Sequence, residues 1–231
     1  MHGAIFDLDG TIVDNMALHM EAFAIFSARH GLPPLTMDDR RRLDGRRNRD
    51  IFPDLFHRPL DETELREYAD EKEALYRSLS AGRLRPLQGF DRLAAFLGRR
   101  SIPLAIATSA PRENVEHTLR ELGLDDRALT IVRSDEVGRG KPWPDVFLEA
   151  AARIGASPRD CVAFEDAPIG IAAAAAAGMQ TVAVTTSFAS AEFAMQTAAP
   201  DHIVAHFDDY LEGPGRWLLE PPAAPTGEAA R

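Results

Sequence analysis

A series of short apolar runs constrains this chain more than any other feature. They are Ala4-Ile5-Phe6, Pro103–Ala107, Leu129–Val132, Cys161–Phe164 and Thr181–Val184. Each is bounded by polar residues, glycine or proline, and none alternates cleanly. Such runs read as strands buried on both faces, the habit of a parallel sheet. Helical patterns lie between the later runs. Arg112–Leu122 carries Val115, Leu119 and Leu122 at helical spacing and stops at Gly123. Pro144–Ile154 stops at Gly155, and Pro168–Ala177 at Gly178, the residue type that favours a helix C-terminus. Strands alternating with helices predict an α/β fold built on a doubly wound parallel sheet. His202–Val204 is read as a further edge strand.

The segment from Asn15 to Ser80 differs, because it contains no strand-like run. Met16, Leu18, Met20, Ala22, Phe23 and Phe26 predict one helix, ended near Gly31-Leu32-Pro33-Pro34. Leu65, Tyr68, Ala69, Leu75, Tyr76 and Leu79 predict another, ended near Gly82. Between them lies a basic stretch, Arg40–Arg49. The expected organisation is a core of residues 1–14 and 83–212, a small inserted α-helical cap of residues 15–82, and a loose tail from 213 to 231. Within the tail, Trp217-Leu218-Leu219 is the part able to dock.

The 231 residues allow one large domain or a core with an insert. With 26 Lys and Arg against 36 Asp and Glu, the formal net charge is −10. That balance argues against a nucleic-acid partner, which needs a basic face. A single cysteine, Cys161, excludes a disulfide framework and a multi-cysteine zinc site, and is expected as a small buried hydrophobe. The start, Met1 to Asp7, lacks the charged and long apolar regions of a signal peptide. The alanine run Ala172–Ala177 is too short to span a bilayer. The expectation is a cytoplasmic monomer with no membrane partner.

Ligands of open α/β sheets bind beyond the carboxyl ends of the strands. Asp7-Leu8-Asp9-Gly10-Thr11 follows the first run, Thr108-Ser109 the second, and Glu165-Asp166 the fourth. Gly140-Lys141-Pro142 precedes a helix between the third and fourth. Asp7 and Asp9, two apart, point to one side of an extended segment. Each piece alone is ordinary: a solvated Asx-turn, a helix cap, a surface lysine. Together they gather four carboxylates, two hydroxyls and one ammonium on one side of the sheet.

In this order and at these strand ends the set resembles the haloacid dehalogenase superfamily of phosphotransfer enzymes. The likeness is to members near beta-phosphoglucomutase and the sugar-phosphate phosphatases. Asp7-Leu8-Asp9-Gly10-Thr11 matches the first motif, Thr108 (less well Ser109) the second, Lys141 the third, and Glu165-Asp166 with Gly170-Ile171 the fourth. The resemblance implies a Rossmann-like core with the helical cap inserted after the first motif. It implies Asp7 as nucleophile, forming an aspartyl-phosphate. Asp9 would be the general acid and then the base. Lys141 would pair with Asp7 and the phosphate, and the Thr108 hydroxyl, with Ser109 beside it, would bind phosphoryl oxygens. It implies Mg²⁺ held by Asp7, the main-chain carbonyl of Asp9 and Asp166, with Glu165 a ligand or a neighbour of one. Haloalkanoic acid dehalogenases resemble the first motif but lack the second aspartate. Response-regulator receivers place their acidic pair before the phosphorylated aspartate, the reverse of the order here. Lys141 is followed by Pro142, so no Walker A is present.

The insert carries the substrate candidates. By resemblance to the mutase, His19 and Lys72 occupy the place of a His–Lys pair, and Gly45 begins the substrate loop. The arginine that grips the mutase's second phosphate aligns with Asn48, leaving Arg46, Arg47 or Arg49 as substitutes. Ala110 and Pro111 stand where the mutase has a serine and a lysine. These departures favour hydrolysis of a small phosphorylated metabolite over isomerisation. A sugar phosphomutase is the alternative, and a non-catalytic phospho-ligand or partner-binding protein on the same fold is a second.

Overall fold

The fold is taken from a computed structural model, which describes residues 1–125, 129–195 and 197–219, apart from the side chain of Arg40. The chain runs β1 (Gly3–Phe6), α1 (Met16–Arg29), α2 (Met37–Leu43), α3 (Asn48–Leu55), α4 (Glu62–Ser80), α5 (Phe90–Arg99), β2 (Leu104–Thr108) and α6 (Arg112–Glu121). It continues through β3 (Thr130–Arg133), α7 (Asp145–Arg153), β4 (Cys161–Glu165), α8 (Pro168–Ala176), β5 (Gln180–Val184), α9 (Ser190–Ala194), β6 (His202–Val204) and α10 (Phe207–Glu212). Among the described residues six strands form one sheet in the order β3-β2-β1-β4-β5-β6, every neighbouring pair parallel. All six strands fall on the expected runs. Helices α2, α3, α5, α9 and α10 add to the expected ones. They are short, and their apolar faces become visible only in the packed molecule.

Alternation sends successive side chains to opposite faces of the sheet. Phe6, Ile106 and Phe164 pack on one side with α5, α6 and α10. Ile5, Ala105 and Ala163 pack on the other with α7 and α8. The first face is aromatic: the Phe6 and Phe164 rings stack at 4.6 Å, and Phe90 and Phe207 meet Phe6 edge-on at 5.7 Å. The second face is lined by alanines, which let its helices lie close. Cys161 is buried there, as expected, and its thiol contacts the Ser157 carbonyl.

Helices α1 to α4 form a separate layer between β1 and α5, with its own aromatic centre of Phe23, Phe26 and Phe52. The long α4 begins at Asp61, whose carboxylate accepts from the Thr63 and Glu64 backbone while Glu64 reaches back to the Asp61 N–H. This reciprocal cap satisfies backbone donors that the first turn of a helix leaves unpaired. The two linkers between core and insert meet. Val13 pairs with Pro86 in an antiparallel bridge, and the Leu87 N–H donates to the Ile12 carbonyl at 2.7 Å.

The start of the tail is docked. Leu218 is 1% exposed within the aromatic face of the core, and Arg100 donates to the carbonyls of Trp217 and Leu218. The docked part is the Trp217-Leu218-Leu219 stretch read as able to dock, and apolar burial of Leu218 with these hydrogen bonds holds it against the looseness expected from residue 213. Residues 220–231 of the expected loose tail lie outside the described residues. Among the described residues no helix is long and apolar enough to cross a membrane.

Candidate active site

The strand order puts the chain reversal between β1 and β4, the switch point where α/β sheets bind ligands. Register then sets the neighbours. Phe6 pairs with Phe164, so Asp7 leaves β1 beside Glu165. The Asp7 N–H donates to the Phe164 carbonyl at 2.9 Å. On the other flank Phe6 pairs with Ile106, which carries Thr108 to the same edge.

Lys141 enters from the loop before α7. Its ammonium donates to Asp7 Oδ1 at 2.6 Å and to Glu165 Oε1 at 2.5 Å. All three groups are buried. Glu165 Oε2 also accepts from the Ala167 N–H at 2.9 Å, at the start of α8. The Asp166 carboxylate accepts from Thr11 Oγ1 at 3.2 Å and from Ser187. Close approach explains two glycines. A Cβ on Gly10, whose φ is +80°, would lie 2.0 Å from Asp166 Oδ2, and one on Gly170 would lie 1.8 Å from Glu165 Oε1.

One oxygen from each of Asp7, Glu165 and Asp166 lies within 4.8 Å of the others. Three buried carboxylates against one ammonium cannot all stay ionised without a cation. Burial drives the Asp7 carboxyl up to about 8; the Lys141 ammonium pulls against this, and Glu165 and Asp9 add to the rise. Burial, then the Glu165 and Asp7 charges, also pushes Asp166 well above the ordinary range. Burial opposes the Lys141 charge, yet Asp7 and Glu165 hold that ammonium protonated more firmly than usual. An all-oxygen, acidic donor set fits a hard divalent cation such as Mg²⁺.

Asp7, Asp9, Thr108, Ser109 and Asp166 line a cavity of about 680 Å³, open to solvent, between the strand ends and the insert. Lys141 and Glu165 lie behind its wall. The Asp9 carboxylate accepts from Asn15 Nδ2 at 2.6 Å and faces His19 Nε2 at 3.7 Å. Burial would raise Asp9, but His19, Asn15 and Lys72 outweigh it and hold the carboxyl below its usual value. Asn15 stands at the N-cap of α1 without capping it. Its amide instead binds Asp9 and the Tyr76 hydroxyl, and its oxygen accepts from the Gly10 N–H. Thr108 Oγ1 accepts from the Ala110 N–H at 3.0 Å, which leaves its own proton to donate. Ser109 is turned to the insert, donating to the Gly45 carbonyl at 2.8 Å.

His19 and Lys72 meet. The Lys72 ammonium approaches His19 Nδ1 at 3.0 Å, and the imidazole stacks on Tyr76 with ring centroids 3.7 Å apart. Donation into Nδ1 puts the imidazole proton on Nε2, aimed at Asp9. The described arginine side chains of the basic stretch are spent on ion pairs. Arg41 pairs with Asp38 and Glu192, Arg42 with Asp39, Arg46 with Asp54, Arg47 with Asp50 and Arg49 with Glu62. Of the arginine candidates Arg46 lines the cavity, whereas Arg49 faces Glu62 outside it. Arg47 lies across Gly140, beside the Lys141 loop. Sequence reading missed Asn15, Tyr76, Glu73 and Asn114, polar groups buried at the same cavity or behind it. Glu73 and Asn114 are polar positions within helical patterns, Tyr76 reads there as an apolar one, and Asn15 stands just before the first helix.

A six-stranded parallel sheet with acids at its switch point and a helical layer inserted after β1 defines a Rossmann-like hydrolase core. The family model described as haloacid dehalogenase-like hydrolase matches residues 4–184, and the chain belongs to that family. It is 35% identical to fructose-1-phosphate phosphatase YqaB of Escherichia coli (strain K12), over 79% of this chain and 95% of that one. It is 33% identical to the beta-phosphoglucomutase of Bacillus subtilis (strain 168), over 80% and 83%. The crystal structure of a family IA, variant 3 hydrolase from Entamoeba histolytica superposes with a TM-score of 0.81 at 27% identity, covering 90% of this chain and 95% of that one.

Proposed function

We propose that this chain hydrolyses a small phosphate monoester, a sugar phosphate or related metabolite, through an aspartyl-phosphate on Asp7. One observation carries the reading: Asp7 and Asp9 face one cavity, with Lys141 on the first and Asn15 and His19 on the second. The core of residues 1–14 and 83–212 does the chemistry, and residues 15–82 act as the cap that admits and encloses substrate.

Asp7 attacks phosphorus while the ester P–O bond breaks. Asp9 gives its proton to the leaving alkoxide. The Asp9 carboxylate then takes a proton from water, whose oxygen attacks the phosphoryl group and releases Asp7. Asp9 rests ionised, the form the second step needs. An arriving phosphate dianion raises its proton affinity and loads the acid for the first step. Thr108 donates to the transferring oxygens, and Lys141 holds the Asp7 carboxylate in line. Asp7, Asp166 and the Asp9 main-chain carbonyl would hold Mg²⁺, with Glu165 anchoring Lys141 behind them. The ion supplies the charge neutralisation that lets a carboxylate meet a dianion.

Phosphate release from a panel of sugar phosphates, with and without EDTA, tests the reading. Metal-dependent release is expected. Conversion of a sugar 1-phosphate to the 6-phosphate with little release would establish the mutase instead. No turnover across the panel would favour a binding protein.

A further inference from the structure

The cavity's far end, away from the strands, closes on Glu73, a carboxylate only 4% exposed. Glu73 Oε1 accepts from Lys72 at 3.0 Å and from Asn48 Nδ2 at 2.8 Å, and Oε2 accepts from Asn114 Nδ2 at 2.6 Å. The donors come from α4, α3 and α6, so the carboxylate ties two helices of the insert to one of the core. Burial works against its charge, but Lys72, His19 and Asn48 hold it ionised.

This fixes the charge of the far end. Lys72 is matched by Glu73 and Arg46 by Asp54, with Arg46 also donating to the Asp50 carbonyl. Among the described residues lining that end, no cation is left without an acid of its own. A phosphoryl group carries about −1.5 to −2 charges. Burying a second one here would set it against Glu73 with no net positive charge to meet it. A hydroxyl finds better partners. A carboxylate offers about four acceptor positions, and Glu73 uses three. Met20, Phe23 and Ile51 line the same cavity, and their apolar side chains suit the C–H faces of a carbon chain or ring.

We propose that Glu73 determines specificity: by neutralising Lys72 it restricts the substrate to monophosphates whose non-reacting end carries hydroxyls rather than a second phosphate. This rests on the phosphatase reading and names its substrate class.

The test compares kcat/KM for fructose 1-phosphate and fructose 1,6-bisphosphate with Mg²⁺. Like-charge contact disfavours a second phosphoryl group, so the intact chain should prefer the monophosphate by about 100-fold. Glu73→Gln removes the negative charge, and Asn48→Lys adds a positive one from another helix. Each should narrow the preference by about 10-fold, through a lower KM for the bisphosphate. A merely structural role would lower both activities together and leave the ratio alone; that result in both variants overturns the proposal. Equal kcat/KM for the two esters in the intact chain overturns it as well, while leaving the phosphatase reading standing. Release from no monoester overturns both.

Discussion

The cavity has two ends, and at each a buried ammonium meets carboxylate. At the sheet end Lys141 faces Asp7 and Glu165, with Asp166 alongside. At the insert end Lys72 faces Glu73. The first end has three acids to one base and the second has one to one. The first therefore holds its acids ionised only with a further cation, whereas at the second Lys72 is already matched by Glu73. Their supports differ too. The acids of the sheet end stand on adjacent strands of one sheet, in a register set by backbone hydrogen bonds. The insert end is assembled from α1, α3, α4 and α6, across two packed layers. On the proposed function, chemistry would be built on the sheet and selection on the inserted helices, a division in which loops and insertions carry specificity.

The largest effect should come from Asp7→Asn, which removes the proposed nucleophile from the acidic end. Turnover and covalent labelling by phosphate should both vanish. Labelling at another residue would break the assignment of chemistry to this end. Next comes Asp9→Asn, expected to slow turnover about 10²–10⁴-fold as the loss of a general acid and base. Steady-state kinetics on any accepted ester reads it, and an unchanged rate would remove Asp9 from that role.

Lys141→Ala contrasts the ends in stability. It leaves Asp7 and Glu165 buried without their cation, which costs about 3–5 kcal/mol when a buried pair loses one partner. Urea unfolding without metal measures this. Because the sheet end has surplus acid, added Mg²⁺ should restore part of the loss, and no restoration would argue against a metal there.

The smallest effect concerns acid pH. Glu73 is held below its ordinary value of 4.5 in the folded chain. Its stabilising contribution is complete above 4.5 and is lost as pH falls through the lower folded value. Urea midpoints should therefore drop from pH 4.5 downwards, and Glu73→Gln should flatten that limb. An identical slope in the variant would show that the insert end does not depend on this charge.

Much of the sheet end is legible along the chain. Apolar runs mark the strands, and the polar residues just after each run mark the ligand side. Thr108, Glu165 and Asp166 are found that way, because strand burial is a local pattern, and Lys141 by its place before a helix between the third and fourth runs. The insert end is less legible. The arginines from 41 to 49 read as a basic patch, yet each is matched by an acid on a neighbouring turn or another helix. Asn48 reads as the loss of a cation, whereas in the fold it is a donor to Glu73.

The sequence by itself determined the class of sheet, the insertion after the first strand and the residues gathered at the strand ends. These follow from burial period and turn chemistry, which act over a few residues. Only the tertiary structure decided that Lys141 bridges Asp7 and Glu165, residues 134 and 24 positions away along the chain. It alone decided that at the far end of the cavity Lys72 and Arg46 are matched by Glu73 and Asp54. Charge in a buried site is a sum over groups that packing brings together, and no local pattern carries that sum.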